Sequence, residues 1–332
     1  MGNKMAKVKW GILSTSNHGI KRVLPAIKKC KNAEIVAIAS RNMIKARDVA
    51  SKFDIPIVFN TYEELLSSSE VDVIYNPLPN HLHLPLTVKA LENNKHVLCE
   101  KPIGLNLDEA RQLLSISKKY PNLKVMEAFM YRFHPQWKLV KQFVDEGRIG
   151  TLTTINSFFS YNKLDPDNVR NRVDMGGGAL LDIGCYCISL SRFLYEDEPQ
   201  KVVASMKYDS QFGVDKLVSG IMEFEKGNAT FTCGTQIEAC QKVTIFGTCG
   251  SITIEIPFNA PVDNECKISV FNNSSVEIIS IDICDQYTIQ ADMFSRAVLE
   301  DLDVPTPLDD AVNNMKVIDS IIESAKKGTW IS

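Results

Sequence analysis

Two short stretches hold residues whose types and spacing can do chemistry. In His96-Val-Leu-Cys-Glu-Lys-Pro-Ile-Gly104, an apolar strand runs directly into a carboxylate, a lysine and a proline. Pro102 keeps Lys101 out of the helical region and removes a backbone donor, so the strand stops and its last side chains point off the sheet edge. In open α/β sheets ligands bind at that edge. In Asp174-Met-Gly-Gly-Gly-Ala-Leu-Leu-Asp-Ile-Gly-Cys-Tyr-Cys187, three glycines precede a helix with Asp182 and Tyr186 at i, i+4, hence on one face. A carboxylate and a phenol so placed can pass a proton to or from a hydroxyl or carbonyl oxygen. Taken singly, each stretch also reads as ordinary structure: a strand-to-turn junction with a solvated Glu-Lys pair, and a helix with an exposed aspartate and a half-buried tyrosine.

Placing such residues requires regular elements, and the first 128 residues alternate strand and helix. Val8 to Leu13 is a buried-strand run, after which Ile20, Val23, Leu24 and Ile27 recur at helical spacing. Between them Gly11-Ile-Leu-Ser-Thr-Ser-Asn-His-Gly19 is a degenerate glycine-rich turn, of the kind that brings a pyrophosphate onto backbone amides at a helix N-terminus. Ser14, Thr15, Ser16 and Asn17 stand where the middle glycine is usual, and their side chains can still donate to phosphate. A second strand, Glu34 to Ala39, ends at Ser40-Arg41, 21 residues beyond Gly19, where the ribose-reading residue belongs. Asp or Glu there takes the 2′-hydroxyl of NAD, whereas an uncharged residue followed by Arg suits the 2′-phosphate of NADP. NADP(H) is therefore the expected cofactor, with NAD(H) possible in its place; Arg41 as a plain surface residue is the competing reading.

Further strands at Ile55 to Phe59, Val71 to Tyr75, His96 to Glu100 and Lys124 to Ala128 continue the alternation, with Thr61 and Glu64 forming a capping box between them. After Tyr75 the segment Asn76-Pro-Leu-Pro-Asn-His-Leu-His83 crosses the sheet edge in extended form. Leu78, Asn80 and His83 are expected on the cofactor's ribose or nicotinamide side, although His83 reads equally as a helix-entry residue bonding its neighbours. The pattern predicts a doubly wound parallel sheet.

From residue 129 the period changes. An amphipathic helix runs through Trp137, Val140 and Val144, and then Phe231 with Cys233, Ile252 with Ile254 and Ile256, and Cys266 with Ile268 and Val270 alternate at period two. That predicts a mostly antiparallel sheet with one buried face. Two helices, at about 287–301 and 309–327, close the chain and are free to pack back on the first domain. Arg132, His134, Asn162, Arg170 and Arg172 flank the chemistry-bearing stretches and are expected at the substrate end. Arg170 and Arg172 suit a phosphate or carboxylate; a solvated loop reads as well.

Composition narrows the class. A net charge of -3 over 332 residues, with lysine and arginine scattered singly, gives no basic field for nucleic acid or an anionic membrane. No uninterrupted apolar run reaches membrane-spanning length, and the opening Met-Gly-Asn-Lys-Met-Ala lacks the apolar core of a signal peptide, so a cytoplasmic protein is expected. Nine cysteines without a Cys-x-x-Cys pair suit free thiols, and no metal is expected.

Together, Glu100-Lys101-Pro102 and Gly176-Gly-Gly-x-Leu-x-Asp182-x-Gly184 resemble the two most distinctive motifs of the Gfo/Idh/MocA oxidoreductases, and the resemblance runs over essentially the whole chain. It implies a Rossmann domain over 1–128, an α+β substrate-binding and dimerisation domain with a large open sheet over 129–332, and a cis Lys101-Pro102 bond. It implies hydride exchange between nicotinamide and a CH–OH or C=O carbon of a sugar, sugar derivative or cyclic diol, and a homodimer, or dimer of dimers, through the C-terminal sheet. The family's catalytic lysine falls on Lys101 and its helix aspartate on Asp182. Its usual histidine is here Tyr186, as in the branch of dihydrodiol dehydrogenases, xylose dehydrogenases and ketosugar reductases, where tyrosine transfers the proton. Glu100 and Lys101 are then expected beside the cofactor as well. A dinucleotide-sensing regulator of the same fold, without turnover, is the alternative; the joint presence of Lys101, Asp182 and Tyr186 argues against it.

Overall fold

The computed structural model describes residues 7–272 and 275–332; the opening residues on which the missing leader was read lie outside them. The chain divides into two compact units, residues 1–130 with 285–312, and residues 131–284 with 313–332.

In the first unit, strands β1 (Val8–Leu13), β2 (Ala33–Ala39), β3 (Ile57–Phe59), β4 (Val73–Asn76), β5 (His96–Cys99) and β6 (Val125–Glu127) form one sheet in the order β3-β2-β1-β4-β5-β6. All neighbours are parallel. Helices α1 (Leu24–Lys29), α2 (Met43–Phe53), α3 (Tyr62–Ser67), α4 (His83–Glu92) and α5 (Leu107–Ser117) connect them. Their starts are fixed by short polar residues that accept from otherwise unpaired amides: Asn42 from Lys45, Thr61 from Glu64 in a full capping box, and Asn106 from Glu109. The strand order reverses between β1 and β4, which opens a crevice at their carboxyl ends.

The helix Gln286–Leu299, late in the chain, also belongs to this unit. Fully buried Trp10 on β1 meets Phe294 edge-on at 5.8 Å and donates from Nε1 to Ser295 Oγ at 3.0 Å. A buried indole N–H needs such a partner, and finding it here ties the late helix to the first strand.

The second unit holds an eight-stranded sheet made of β7 (Leu152–Asn162), β8 (Lys201–Tyr208), β9 (Asp215–Phe224), β10 (Gly227–Gly234), β11 (Gln236–Gly247), β12 (Gly250–Ile254), β13 (Cys266–Asn272) and β14 (Ser275–Ile281), in the order β14-β13-β12-β11-β7-β10-β9-β8. Only β7 and β10 pair in parallel. One face carries Ile155, Phe231, Val243, Ile245, Ile252, Ile254, Ile268 and Val270, all nearly or fully buried. The other face leaves Phe246, Phe271, Val276 and Ile278 exposed. Ile256, expected to continue the alternation, lies beyond the end of β12 and is exposed, because the chain turns away at Glu255.

Helices α6 (Pro135–Asp145) and α7 (Cys185–Tyr195) belong to this unit. Residues 173–195, from the turn ahead of the triple glycine to the end of α7, are together long and apolar enough to cross a membrane, which reading for uninterrupted apolar runs did not find. Most of it is buried inside the protein, as the core helix of a globular unit requires.

Candidate active site

In the first unit the candidate residues gather at strand ends. Beyond β1 the backbone turns at Ser14, whose φ of +67° lies in the left-handed region, and the Ser16 hydroxyl accepts from the Gly19 amide at 3.1 Å. Buried Thr15 sets its hydroxyl 3.3 Å from that of buried Ser40, at the end of the adjacent β2. Arg41 and Asn17 are exposed. Gly11 sits inside β1, where a Cβ would come within 2.8 Å of Val71 Cγ1 and 2.9 Å of Leu65 Cδ2, so this glycine answers to packing. Hydroxyls converging at a positive-φ turn, with a cation and no carboxylate at the β2 end, fit a dinucleotide carrying a 2′-phosphate.

Beyond β4 and β5 the strand ends are braced internally. Fully buried Asn76 donates from Nδ2 to His83 O at 3.3 Å and to Thr87 Oγ1 at 3.4 Å, while its Oδ1 accepts from the Leu78 amide. His83 is 1% exposed, with Nδ1 2.7 Å from Pro102 O and Nε2 2.7 Å from Leu78 O. Both partners are carbonyls, and a neutral imidazole donates from one nitrogen only. Burial pushes the His83 pKa down, against the pull of those two carbonyls and of Glu100. His83 thus braces the Lys101–Pro102 turn, whose peptide bond is cis. Asn80 and Lys101 are half-buried nearby in the chain, and Leu78 is 6% exposed.

Glu100 accepts from Tyr75 OH at 2.7 Å and lies 3.5 Å from His18 Nε2. Burial works to raise its pKa, but His18, the Tyr75 hydroxyl and Lys101 together outweigh it and bring the carboxyl down to about 2. An anion is therefore fixed immediately before Lys101. The sequence reading missed Tyr75, His18 and Asn76; Asn76 was legible as a polar residue closing an apolar strand.

In the second unit the triple glycine is required position by position. Gly176 has φ +75° and Gly178 φ +118°, and a Cβ on Gly177 would stand 2.4 Å from Arg170 O. The following stretch, Leu180–Gly184, winds wider than an α-helix before α7 begins, with Gly184 packed so closely that a Cβ would meet Cys233 Sγ at 2.9 Å. Such local widening is frequent at functional sites.

Asp182 lies in that widened turn. Its Oδ2 accepts from Tyr161 OH at 2.6 Å and from Arg170 Nε at 2.8 Å. Asp182 foremost raises the Arg170 pKa, and burial, with Asp182 next, raises that of Tyr161, so one stays a guanidinium and the other a phenol. Tyr186 is 5% exposed, its ring 5.8 Å from both Tyr131 and Phe159 and 5.4 Å from Phe258. Tyr161 was missed because β7 was not recognised, although Ile155, Ser157, Phe159 and Tyr161 alternate there.

The remaining candidates of this unit have contacts of their own, and Arg132 Nε also donates to the hydroxyl of Tyr131, whose ring packs on Tyr186. Arg132 donates to Ser189 Oγ at 2.9 Å and to Ser189 O at 3.3 Å, and lies over the Phe193 ring. His134 is 1% exposed and caps α6 by accepting from Gln136 N, with burial lowering its pKa to about 4. Arg172 pairs with Asp174 at 2.8 Å, and Asn162 is exposed.

Comparison with known proteins decides the family. Residues 8–129 match the oxidoreductase family with an NAD-binding Rossmann fold, and residues 137–253 match the GFO/IDH/MocA C-terminal domain. An uncharacterised oxidoreductase of Rhizobium meliloti is 36% identical over 98% of this chain and 99% of its own length. The chain belongs to the Gfo/Idh/MocA family. As a member it is an NAD(P)-dependent oxidoreductase, and a nicotinamide dinucleotide is its cofactor. An NADP-dependent D-xylose 1-dehydrogenase of Haloferax volcanii is 32% identical over 97% of this chain and 98% of its length. Among solved structures, a 3-ketoreductase from Actinomadura kijaniata, in complex with NADP and TDP-benzene, superposes with a TM-score of 0.91 at 26% identity, covering 96% of this chain and 98% of that one.

Proposed function

We propose that the protein moves a hydride between NADP(H) and a CH–OH or C=O carbon of a sugar, sugar derivative or cyclic diol, with Tyr186 as acid/base, Lys101 as its electrostatic tuner and Asp182 as the orienter of the substrate. The nicotinamide, when bound, gives or takes the hydride. The observation that carries the assignment is the double engagement of Asp182 Oδ2 by Tyr161 and Arg170. A carboxylate held by a cation and a phenol is a fixed acceptor for a substrate hydroxyl and a poor proton shuttle. Tyr186, four residues on, stands where the branch of the family that these motifs resemble has its proton-transferring tyrosine.

A free tyrosine titrates near 10, so acting near neutral pH takes a shift of about two to three units, or roughly 3 to 4 kcal/mol of preference for phenolate. In this reading the Lys101 ammonium supplies much of that preference, and in oxidation the positive charge of the nicotinamide adds to it. In reduction Tyr186 as a phenol donates its proton to the carbonyl oxygen as the hydride arrives. The xylose dehydrogenase and ketoreductase relatives support a sugar-like substrate, and Ser40-Arg41 supports NADP.

The proposal assigns cofactor binding to residues 1–128, with Ser14, Thr15, Ser16, Asn17, Ser40, Arg41, Leu78, Asn80, Glu100 and Lys101 on the cofactor, and substrate binding to 129–332. It includes a homodimer through the open sheet face, supported by exposed Phe246, Phe271, Val276 and Ile278. A monomer by light scattering would remove the dimer. Nine free cysteines suit a reducing cytoplasm.

The test is the near-ultraviolet absorbance of the nicotinamide with pentoses, hexoses, ketosugars and cyclic diols, each against NADP and NAD pairs, beside a Lys101→Met sample. Turnover that vanishes in the variant supports the reading. Equal turnover with and without Lys101 contradicts it.

A further inference from the structure

Asp215, the first residue of β9, is 8% exposed and turns its carboxylate onto the start of the helical stretch that follows the triple glycine. Oδ2 accepts from the Leu180 backbone N–H at 2.7 Å. Oδ1 lies against Gly178 so closely that a Cβ there would meet it at 2.0 Å. The first amides of a helix lack partners within it and carry the positive end of its dipole. A cap normally comes from the residue just ahead, but Ala179 stands there without one. A carboxylate from another strand takes its place.

Ionisation of that carboxylate works against the fold. Burial pushes the Asp215 carboxyl up to about 6, although the amides of Leu180, Asp215 itself and Ala179 pull it down. Among the described residues, Tyr208 on β8 and Cys233 on β10 feel its charge, and neither is a cation. Because its pKa is raised on folding, the stability this group contributes is full below its ordinary value and is lost as pH rises through about 6. Near neutral pH the chain holds an ionised carboxylate where a neutral one would be more stable.

We infer that Asp215 is a positioning residue for the reaction: its carboxylate fixes the start of the helical stretch that carries Asp182 and Tyr186. The inference rests on the roles proposed above for those two residues.

Asp215→Asn tests it, because the amide keeps the size and one acceptor and removes the charge. At pH 7 kcat should fall about tenfold or more, the size of effect expected when catalytic groups are displaced by a fraction of an ångström to one ångström. NADPH affinity by fluorescence titration should not change, and Tm should stay level or rise. In the wild type kcat should fall as pH drops through about 6, where the carboxyl takes its proton, and this limb should be absent from the variant. A wild-type kcat in the variant, or a lowered Tm with kcat retained, overturns the inference. Should the variant not fold, the wild-type profile decides: a kcat unchanged from pH 7 to 5 overturns it. Tyr186→Phe runs beside these samples. If that variant turns over normally, the proposed proton transfer fails; if it is silent while Asp215→Asn is at full rate, only the role of Asp215 fails.

Discussion

Arg170 Nε donates to Asp182 Oδ2 across 2.8 Å, and this contact joins the loop ahead of the triple glycine to the helical stretch behind it. It turns a carboxylate that the sequence places on a helix face into a fixed element of a site, with the Tyr161 hydroxyl completing the clamp.

Removing either arm of the clamp should loosen Asp182. Tyr161→Phe deletes one hydrogen bond to a charged group, worth about 1.5 to 3 kcal/mol, and should lower kcat/KM for the sugar by about ten- to a hundredfold. Arg170→Gln should do at least as much. Since both act through Asp182, the double variant should lose less than the sum of the single losses, as steady-state kinetics over a double-mutant cycle would show. Additive losses would mean separate roles.

Cofactor choice should follow the end of β2. Arg41→Ala is expected to weaken NADPH binding about ten- to a hundredfold, the range of a lost charge-assisted bond, and to leave NADH nearly unchanged. Ser40→Asp should lower NADPH affinity further by placing a carboxylate where the 2′-phosphate belongs. Fluorescence titration of both nucleotides checks this, and equal losses for the two would contradict it.

Glu100 makes stability depend on acid pH. Its folded pKa, about 2, lies below the ordinary 4.5, so the stabilisation it provides is present above pH 4.5 and is lost as pH falls through about 2. The shift corresponds to roughly 3 kcal/mol. Glu100→Gln should therefore be less stable than the wild type by about that amount at pH 7, with the difference closing between pH 4.5 and 2, in denaturant titrations across that range. A difference that does not change with pH would mean that the carboxylate charge is not what Tyr75 and His18 stabilise.

Much of this architecture is legible in the sequence because its signals are local. The strand runs of the first unit, the Thr61-Glu64 capping box and the asparagine caps each depend on residues a few positions apart, and all appear where their chemistry puts them. Lys101 and Tyr186 stand out in the sequence through their own neighbours, Pro102 and the glycine run, and their roles are those proposed above. What stayed hidden is what residues distant in the chain do to one another. Nothing near Tyr161 announces Asp182, 21 positions away, and nothing near Asp215 announces Leu180. His134 and Arg132 looked available by type, yet one caps a helix and the other clasps Ser189. The widened turn at Leu180–Gly184 also escaped a reading based on α-helical spacing, because close approach of Gly184 to Cys233 depends on a strand some fifty residues later.

The most direct test of the account is a single-turnover measurement on Tyr186→Phe, with NADPH bound and a carbonyl substrate found in the sugar panel. The phenyl ring keeps the packing against Tyr131, Phe159 and Phe258 and removes only the hydroxyl. The account predicts NADPH affinity within about twofold of the wild type and a hydride-transfer rate lower by about 10²- to 10⁴-fold, the range that a positioned general acid contributes. Hydride transfer at the wild-type rate would contradict it, and would move the proton to another group.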